Sequence, residues 1–377
     1  MLVQRLKAKE EVPVNLKEDI LACFTGTGPD HPIFMPDLTL WHPWHKTQGT
    51  LPEGWQDYTM TQAAQALGAA VWAVDRPWRL EMVGLDVVIE EKGDERIVRY
   101  EAPDRTLTER WSVGPDGDWW QVEWPAKGLE DLPAACAVVE ARTYILDSSR
   151  LASMAAEVGD SGVLALEIPM HPYSDMLHTL LGWGEGLMLL YEEHKTILQM
   201  LAILEDKRQA LVDDVAALPG SVVLAPDNLD GQYISPTNFH THFAANYRRT
   251  ADVLHSGGKY LVVHIGGPAK RLLPLLADAG VDGVEGIAGA PQSDASIMEA
   301  REAAGPKLTL WGGIPQDFLV KTHSEEQFET AVLEAARQAM ETGRVILGIA
   351  DRVSVNAEFA RLKATALLIN DAGIARA

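Results

Sequence analysis

Cysteine is nearly absent from the 377-residue chain: only Cys23 and Cys136 occur, far apart and in no CxxC or HxC pattern. That excludes a disulfide framework and a thiolate metal site, and it fits a reducing cytoplasm. Basic residues are also scarce, with 32 Lys and Arg against 54 Asp and Glu and a formal charge of −22. Such a surface repels phosphate backbones and anionic headgroups, so nucleic acid is not an expected partner. Its plain meaning is a well-solvated, soluble surface. No stretch reaches the roughly eighteen consecutive apolar residues of a membrane span. The opening MLVQRLKAKEEVPVNLKEDI likewise has no apolar core of signal-peptide length. The expectation is a cytoplasmic chain that does not enter a membrane.

What is present is a folded-protein composition, 47% hydrophobic and 23% charged, with no long low-complexity tract. From about residue 160 onward one grammar repeats: an apolar run of strand length, a Gly or polar break, then an amphipathic helix. The runs are GVLALEIPM from Gly162, SVVLAPDNL from Ser221, KYLVVHIGG from Lys259, GVDGVEGI from Gly280, KLTLWGGI from Lys307 and RVILGIAD from Arg344. Glycine precedes or opens each of them, at Gly162, Gly220, Gly258, Gly280, Gly305 and Gly343, where a helix would end. Continuous Val/Ile/Leu runs mark parallel strands covered on both faces. HPIFMPDLTL from His31 and GAAVWAVD from Gly68 bring the number of candidate strands to eight. This predicts a (β/α)8 TIM barrel with an N-terminal extension, a long open parallel sheet being the alternative.

Residues from about 80 to 125 break the grammar. There apolar and polar residues alternate, with KGDE and GPDGD at the turns, as in an antiparallel meander. The organisation expected is a single barrel domain over 1–377 with a β-rich insertion at about 80–125. Trp119, Trp120 and Trp124 in the insertion are expected to pack against the barrel body, a substrate lid being the alternative.

In a barrel of this kind the chemistry gathers at the carboxyl ends of the strands. The polar residues there are Asp37, Trp41 and His42, then Asp75 and Arg76, Glu167 and His171, Asp227 and Asn228, His264, Glu285 and Asp351. Strand alternation allows His264 and Glu285 to point inward at one mouth. Neutral imidazole with carboxylates is a common ligand set for zinc, and an open position lets the ion activate a substrate atom. The same carboxylates could perform acid–base work without metal, and a terminal histidine is often purely structural. The turns at Gly266-Gly267 and Gly312-Gly313 permit close approach of backbone to a cofactor, although tight βα turns need glycine anyway. No GxGxxG or Walker sequence accompanies them.

The segment LAPDNLDGQYISPTNFHTHFAANYRRTADVLHSGGKYLVVHIGG resembles the uroporphyrinogen decarboxylase superfamily. An Asp-bearing strand, a Ser-Pro-x-x-Phe segment, a Tyr-containing helix and a strand-His-x-x-Gly unit follow there in this order. Asp227, Ser235, Pro236, Phe239, Tyr247, His264 and Gly267 occupy those places. GVDGVEG, LWGGIP and ILGIADRVSVNAEFARLKA continue the match, the last resembling the ending of the methyltransferase-like branch. The resemblance implies a closed barrel, often a homodimer. It is strongest over the C-terminal 150 or so residues.

Two departures choose between branches. Decarboxylases of the superfamily hold their porphyrinogen with an Arg-rich segment after the first strand, where this chain reads MPDLTLWHPWHKTQGT, without arginine. Thiol-activating methyltransferases hold zinc by His-x-Cys and a distant Cys; those places here are His264-Ile265-Gly266 and Ala350-Asp351. Zinc held by sulfur is thereby excluded, whereas oxygen ligands remain open, as in methoxyl-demethylating relatives. The resemblance therefore implies methyl transfer from a small, O-methylated substrate to a corrinoid (cobalamin) presented by a partner protein. Zinc would be held by His264, Glu285 and Asp351, with Asp227, Asn228, Tyr247, Glu167 and His171 as catalytic groups and Gly266, Gly267, Gly312 and Gly313 at the cofactor. Two other readings stay open: a carboxy-lyase acting on a smaller acid through Asp227 and Tyr247, and a non-catalytic barrel module.

Overall fold

The protein is described here from a computed structural model, which covers residues 15–192, 195–289 and 292–374. The first two strands are β1 (Ile33–Phe34) and β2 (Val71–Asp75). The segment after β2 makes β3 (Trp78–Met82), β4 (Asp86–Lys92), β5 (Glu95–Glu101), β6 (Thr106–Val113), β7 (Trp119–Glu123) and β8 (Arg142–Leu146). Six more strands complete the series: β9 (Gly162–Glu167), β10 (Val222–Leu229), β11 (Tyr260–Ile265), β12 (Gly283–Ile287), β13 (Thr309–Pro315) and β14 (Val345–Ala350).

Eight of these form one parallel sheet in the order β1-β14-β13-β12-β11-β10-β9-β2. Its two edges meet: the Ala70 N–H donates to the Phe34 carbonyl at 2.8 Å, so the sheet closes into the (β/α)8 barrel that the strand grammar predicts. Strand β1 is short because Pro32 and Pro36 bracket it, and proline cannot donate to the ladder. Helices between the strands begin on capping boxes at Thr59, Ser296 and Ser324, each side chain taking a backbone N–H three residues on.

The amino end of the barrel is plugged. Helix Leu16–Thr25 sends Ile20, Cys23 and Phe24 against barrel residues Ile33, Met35, Val163, Val222, Val262 and Ile346. Across this floor Trp72 and Trp311 meet edge to face with centroids 4.3 Å apart, and the Trp311 indole donates to the Met35 carbonyl at 3.0 Å. Burial, reinforced by Asp19, pushes the Cys23 thiol up to about 12, so it behaves as a small apolar residue rather than a nucleophile. Room for chemistry is left at the carboxyl end. No helix among the described residues is long and apolar enough to cross a membrane.

The antiparallel insertion is wider than the alternation at 80–125. Strands β4 to β7 form the meander, but β3 pairs with β8, which returns after helix Leu132–Ala141. The inserted module therefore runs from Trp78 to Leu146, and its helical part carries no alternation that would mark it.

Gly162 opens β9 where the neighbouring strand leaves no space for a side chain. A Cβ there would lie 2.0 Å from the Val71 oxygen and 2.5 Å from its nitrogen, both backbone atoms that cannot swing away. Gly162→Ala should therefore lower unfolding stability by about 3 kcal/mol, the upper range for overpacking. The shift of the urea midpoint measures it; an unchanged midpoint would mean that β2 and β9 do not pair this closely.

Candidate active site at the carboxyl end of the barrel

His264 and Glu285 stand level on adjacent strands, paired in the β11–β12 register. His264 Nδ1 hydrogen-bonds Glu285 Oε2, while Nε2 lies 3.5 Å from Asp351 Oδ1 just beyond β14. One donor atom from each of the three falls within 4.8 Å of the others. The Asp351 side chain is 46% exposed and those of His264 and Glu285 are 16% and 11% exposed, so the group opens toward solvent on its Asp351 side. Asp37, past β1, faces the same group. It accepts from Thr39 N at 2.7 Å and from the Thr39 hydroxyl at 2.5 Å.

Burial alone would depress His264, but the carboxylates of Glu285, Asp351 and Asp37 outweigh it and raise its pKa to about 9. Burial also raises Glu285 and Asp37; His264 pulls Glu285 back down, as the Thr39 bonds do for Asp37. The imidazolium is thus the counterion of several carboxylates. A cation bound there competes with that proton.

A second set of predicted residues meets deeper in the barrel wall. Asp227 is fully buried; Tyr247 donates its hydroxyl to Oδ2, and the His171 backbone N–H donates to Oδ1 at 2.5 Å. Beside them lies the buried Arg208, whose Nε donates to the Pro169 carbonyl at 2.9 Å and whose Nη1 donates to Thr250 at 2.8 Å and Asn246 at 3.1 Å. Burial raises the Asp227 pKa and Arg208 opposes it; burial and Asp227 drive Tyr247 well above its ordinary value. His171 is held neutral by burial and Arg208, with its ring 4.2 Å from Phe243. Of the five expected catalytic groups, Asp227, Tyr247 and His171 meet here, and both Asp227 carboxylate oxygens are already bonded. The cluster braces β10 to helix Ala244–Ser256 and to the loop after β9.

Glu167 belongs to neither group. It is paired with Arg76 at 2.6 Å, below the insertion. Asn228 adopts a left-handed φ of 48° and lays its carboxamide against Gly266, where a Cβ would meet Oδ1 at 1.6 Å. Similar crowding comes from Asp230 at Gly267 (2.4 Å), the Ile287 oxygen at Gly312 (2.1 Å) and Ile297 at Gly313 (2.5 Å). At all four glycines the missing side chain lets the protein's own neighbouring segments approach closely.

Two further groups border the mouth. Asp37 is visible in sequence as a strand-end carboxylate, but nothing there ties it to His264, 227 residues away. His178, in the helical segment Met176–Leu181 after β9, carries an Nε2 without a partner among the described residues, stands edge-on to Trp183 at 4.7 Å and feels the charge of His264. No motif marks it. The insertion also reaches this end: Asp118 pairs with Arg352 at 3.0 Å, and a Cβ on Gly117 would strike Trp44 at 2.5 Å. Of Trp119, Trp120 and Trp124, it is Trp124 that bonds the barrel body, donating to the His178 carbonyl at 2.9 Å. Trp119 instead lies under Arg96 of its own sheet at 4.4 Å, and Trp120 is exposed.

Residues 180–370 match the family model of uroporphyrinogen decarboxylase (URO-D). The chain belongs to the uroporphyrinogen decarboxylase family. The matched span contains Asp227, Tyr247, His264, Glu285 and Asp351, whereas His171 and Asp37 lie before it. A methyltransferase from Methanosarcina mazei shares the fold with a TM-score of 0.58 at 15% identity, over 94% of this chain and 98% of the other. D-psicose 3-epimerase from Clostridium cellulolyticum H10 is far more distant, with a TM-score of 0.35 and 12% identity over 61% of this chain and 84% of that one. No curated protein matches the sequence.

His178 supplies a pH test of the mouth. Burial depresses its pKa from 6.5 to about 4. Between those values the unfolded chain binds the proton and the folded chain does not, so its contribution is intact above pH 6.5 and is lost as pH falls toward 4. The ceiling is about 3 kcal/mol. His178→Gln should remove that part of the acid destabilisation in urea melts between pH 7 and 4.5; parallel losses in both proteins would show that His178 is not held neutral.

Proposed function

We propose that the protein is a methyltransferase that moves a methyl group from a small, methoxylated substrate to a corrinoid carried by a partner protein. The observation that carries this reading is the meeting of His264, Glu285 and Asp351 at an open barrel mouth. An ether is a poor electrophile because its leaving group is an alkoxide or phenoxide, so catalysis rests on stabilising that oxygen and on positioning. The fold shared with the Methanosarcina mazei methyltransferase is in keeping with it. The absence of arginine after β1 disfavours a substrate with several carboxylates. The enclosure of Asp227 leaves a lyase reading without a reachable carboxylate at that position.

The residues also fit zinc without sulfur. Tetrahedral bonds of about 2.0–2.1 Å put neighbouring ligand atoms roughly 3.3 Å apart, close to the 3.5 Å between His264 Nε2 and Asp351 Oδ1. Zinc bound there would act as a Lewis acid on the substrate oxygen. Glu285, expected as a zinc ligand, is bonded to Nδ1 and so orients the ring, leaving Nε2 and Asp351 to face the ion, as carboxylates commonly orient metal-binding imidazoles. Asp37 adds negative charge that favours a cation, and the exposed side of Asp351 gives a substrate oxygen its approach.

Purified protein should contain about one zinc per chain, with His264→Ala near zero and Glu285→Gln weakened roughly 10–100-fold in metal affinity. Conversion of cob(I)alamin to methylcobalamin on adding small methyl ethers, followed by absorbance, should fall by about 10²–10³-fold in His264→Ala. Full turnover after chelation would remove zinc from the reading, and product formation without any corrinoid would remove methyl transfer to cobalt.

A further inference from the structure

A separate cavity of about 290 Å³ lies between the insertion and the carboxyl ends of β9 and β10. None of His264, Glu285 and Asp351 lines it. Its insertion side is built from rings, those of Trp78, Tyr100, Trp111 and Tyr144, all partly solvated rather than closed into a core. Trp78 and Tyr144 stand edge to face with centroids 5.1 Å apart. The barrel side contributes Ile168 and Met170. The volume is at the lower end of the roughly 300–1,000 Å³ of small-molecule pockets.

Both arginines of the cavity are paired with acids. Arg142 pairs with Asp175 at 2.6 Å, and Arg76 with Glu167 at 2.6 Å. Glu109 accepts from the Tyr100 hydroxyl at 3.2 Å and from Gln121 Nε2 at 3.1 Å, and burial raises its pKa. An anionic ligand would lose hydration here without meeting a free cation. By contrast, the Tyr144 hydroxyl has no hydrogen-bond partner among the described residues, and burial raises its pKa, so it remains an O–H donor. An aromatic wall with the Tyr144 hydroxyl as a donor and both arginines already paired favours a flat, neutral molecule that brings an acceptor.

We propose that this cavity is a second ligand site, for a neutral single-ring molecule whose oxygen accepts a hydrogen bond from Tyr144. It stands independently of methyl transfer. The probe is acetophenone, flat and neutral with a carbonyl acceptor, titrated into the whole protein by ligand-observed NMR. Benzoate supplies the charged comparison and cyclohexyl methyl ketone the non-planar one. Acetophenone should bind saturably and more tightly than either. Tyr144→Phe, which keeps the ring, should weaken it about 5-fold, as expected for one hydrogen bond. Trp111→Ala should weaken it further, and His264→Ala should leave it unchanged. Equal affinity in Tyr144→Phe, equal binding of the comparison ligands, or no saturable binding would overturn the proposal. Loss in His264→Ala with retention in Tyr144→Phe would place the probe in the barrel mouth instead and equally defeat it.

Discussion

The contact on which the site depends is the buried pairing of His264 with Glu285 across adjacent parallel strands. Two side chains 21 residues apart reach each other because strand register leaves their Cα atoms level. That register is held from below, where Trp72, Trp311 and the helix Leu16–Thr25 fill the barrel. Charge is then concentrated at the other end, with Asp37 and Asp351 arriving from the first and last strands. A single imidazole facing several carboxylates is unfavourable unless a proton or a cation stays with it, so the mouth has affinity for positive charge built into its backbone geometry.

The barrel was legible in sequence because parallel strands buried on both faces must be continuously apolar, and six such runs follow one another after residue 160. His264 and Glu285 were legible for the same reason: each is the polar residue that ends such a run. Alternation within the insertion likewise exposed β4 to β7. It could not expose helix Leu132–Ala141 or β8, because pairing of β3 with β8 joins segments about sixty residues apart with no shared pattern.

Burial and loop conformation were not legible. Asp227 and Tyr247 read as chemistry, yet the nearby Arg208 comes from a long helix whose sequence gives no sign that its guanidinium turns inward. Gly266 and Gly267 read as close approach to a ligand, whereas the close approach they give here is to Asn228 at the end of β10 and Asp230 just beyond it. A family match over residues 180–370 locates both clusters without telling the sealed one from the open one.

Contacts of very different strength join the insertion to the barrel, among them the Trp124 bond to the His178 carbonyl. The root of the insertion is a backbone ladder between β3 and β8 beside the strand ends, whereas its tip is held by Asp118 on Arg352, with both side chains more than a third exposed. Exposed pairs of that kind contribute roughly 0–1 kcal/mol and weaken in salt, a scale comparable to thermal energy. Added salt therefore acts on this contact beside Asp351 well before it acts on the ladder, which carries no net charge of its own.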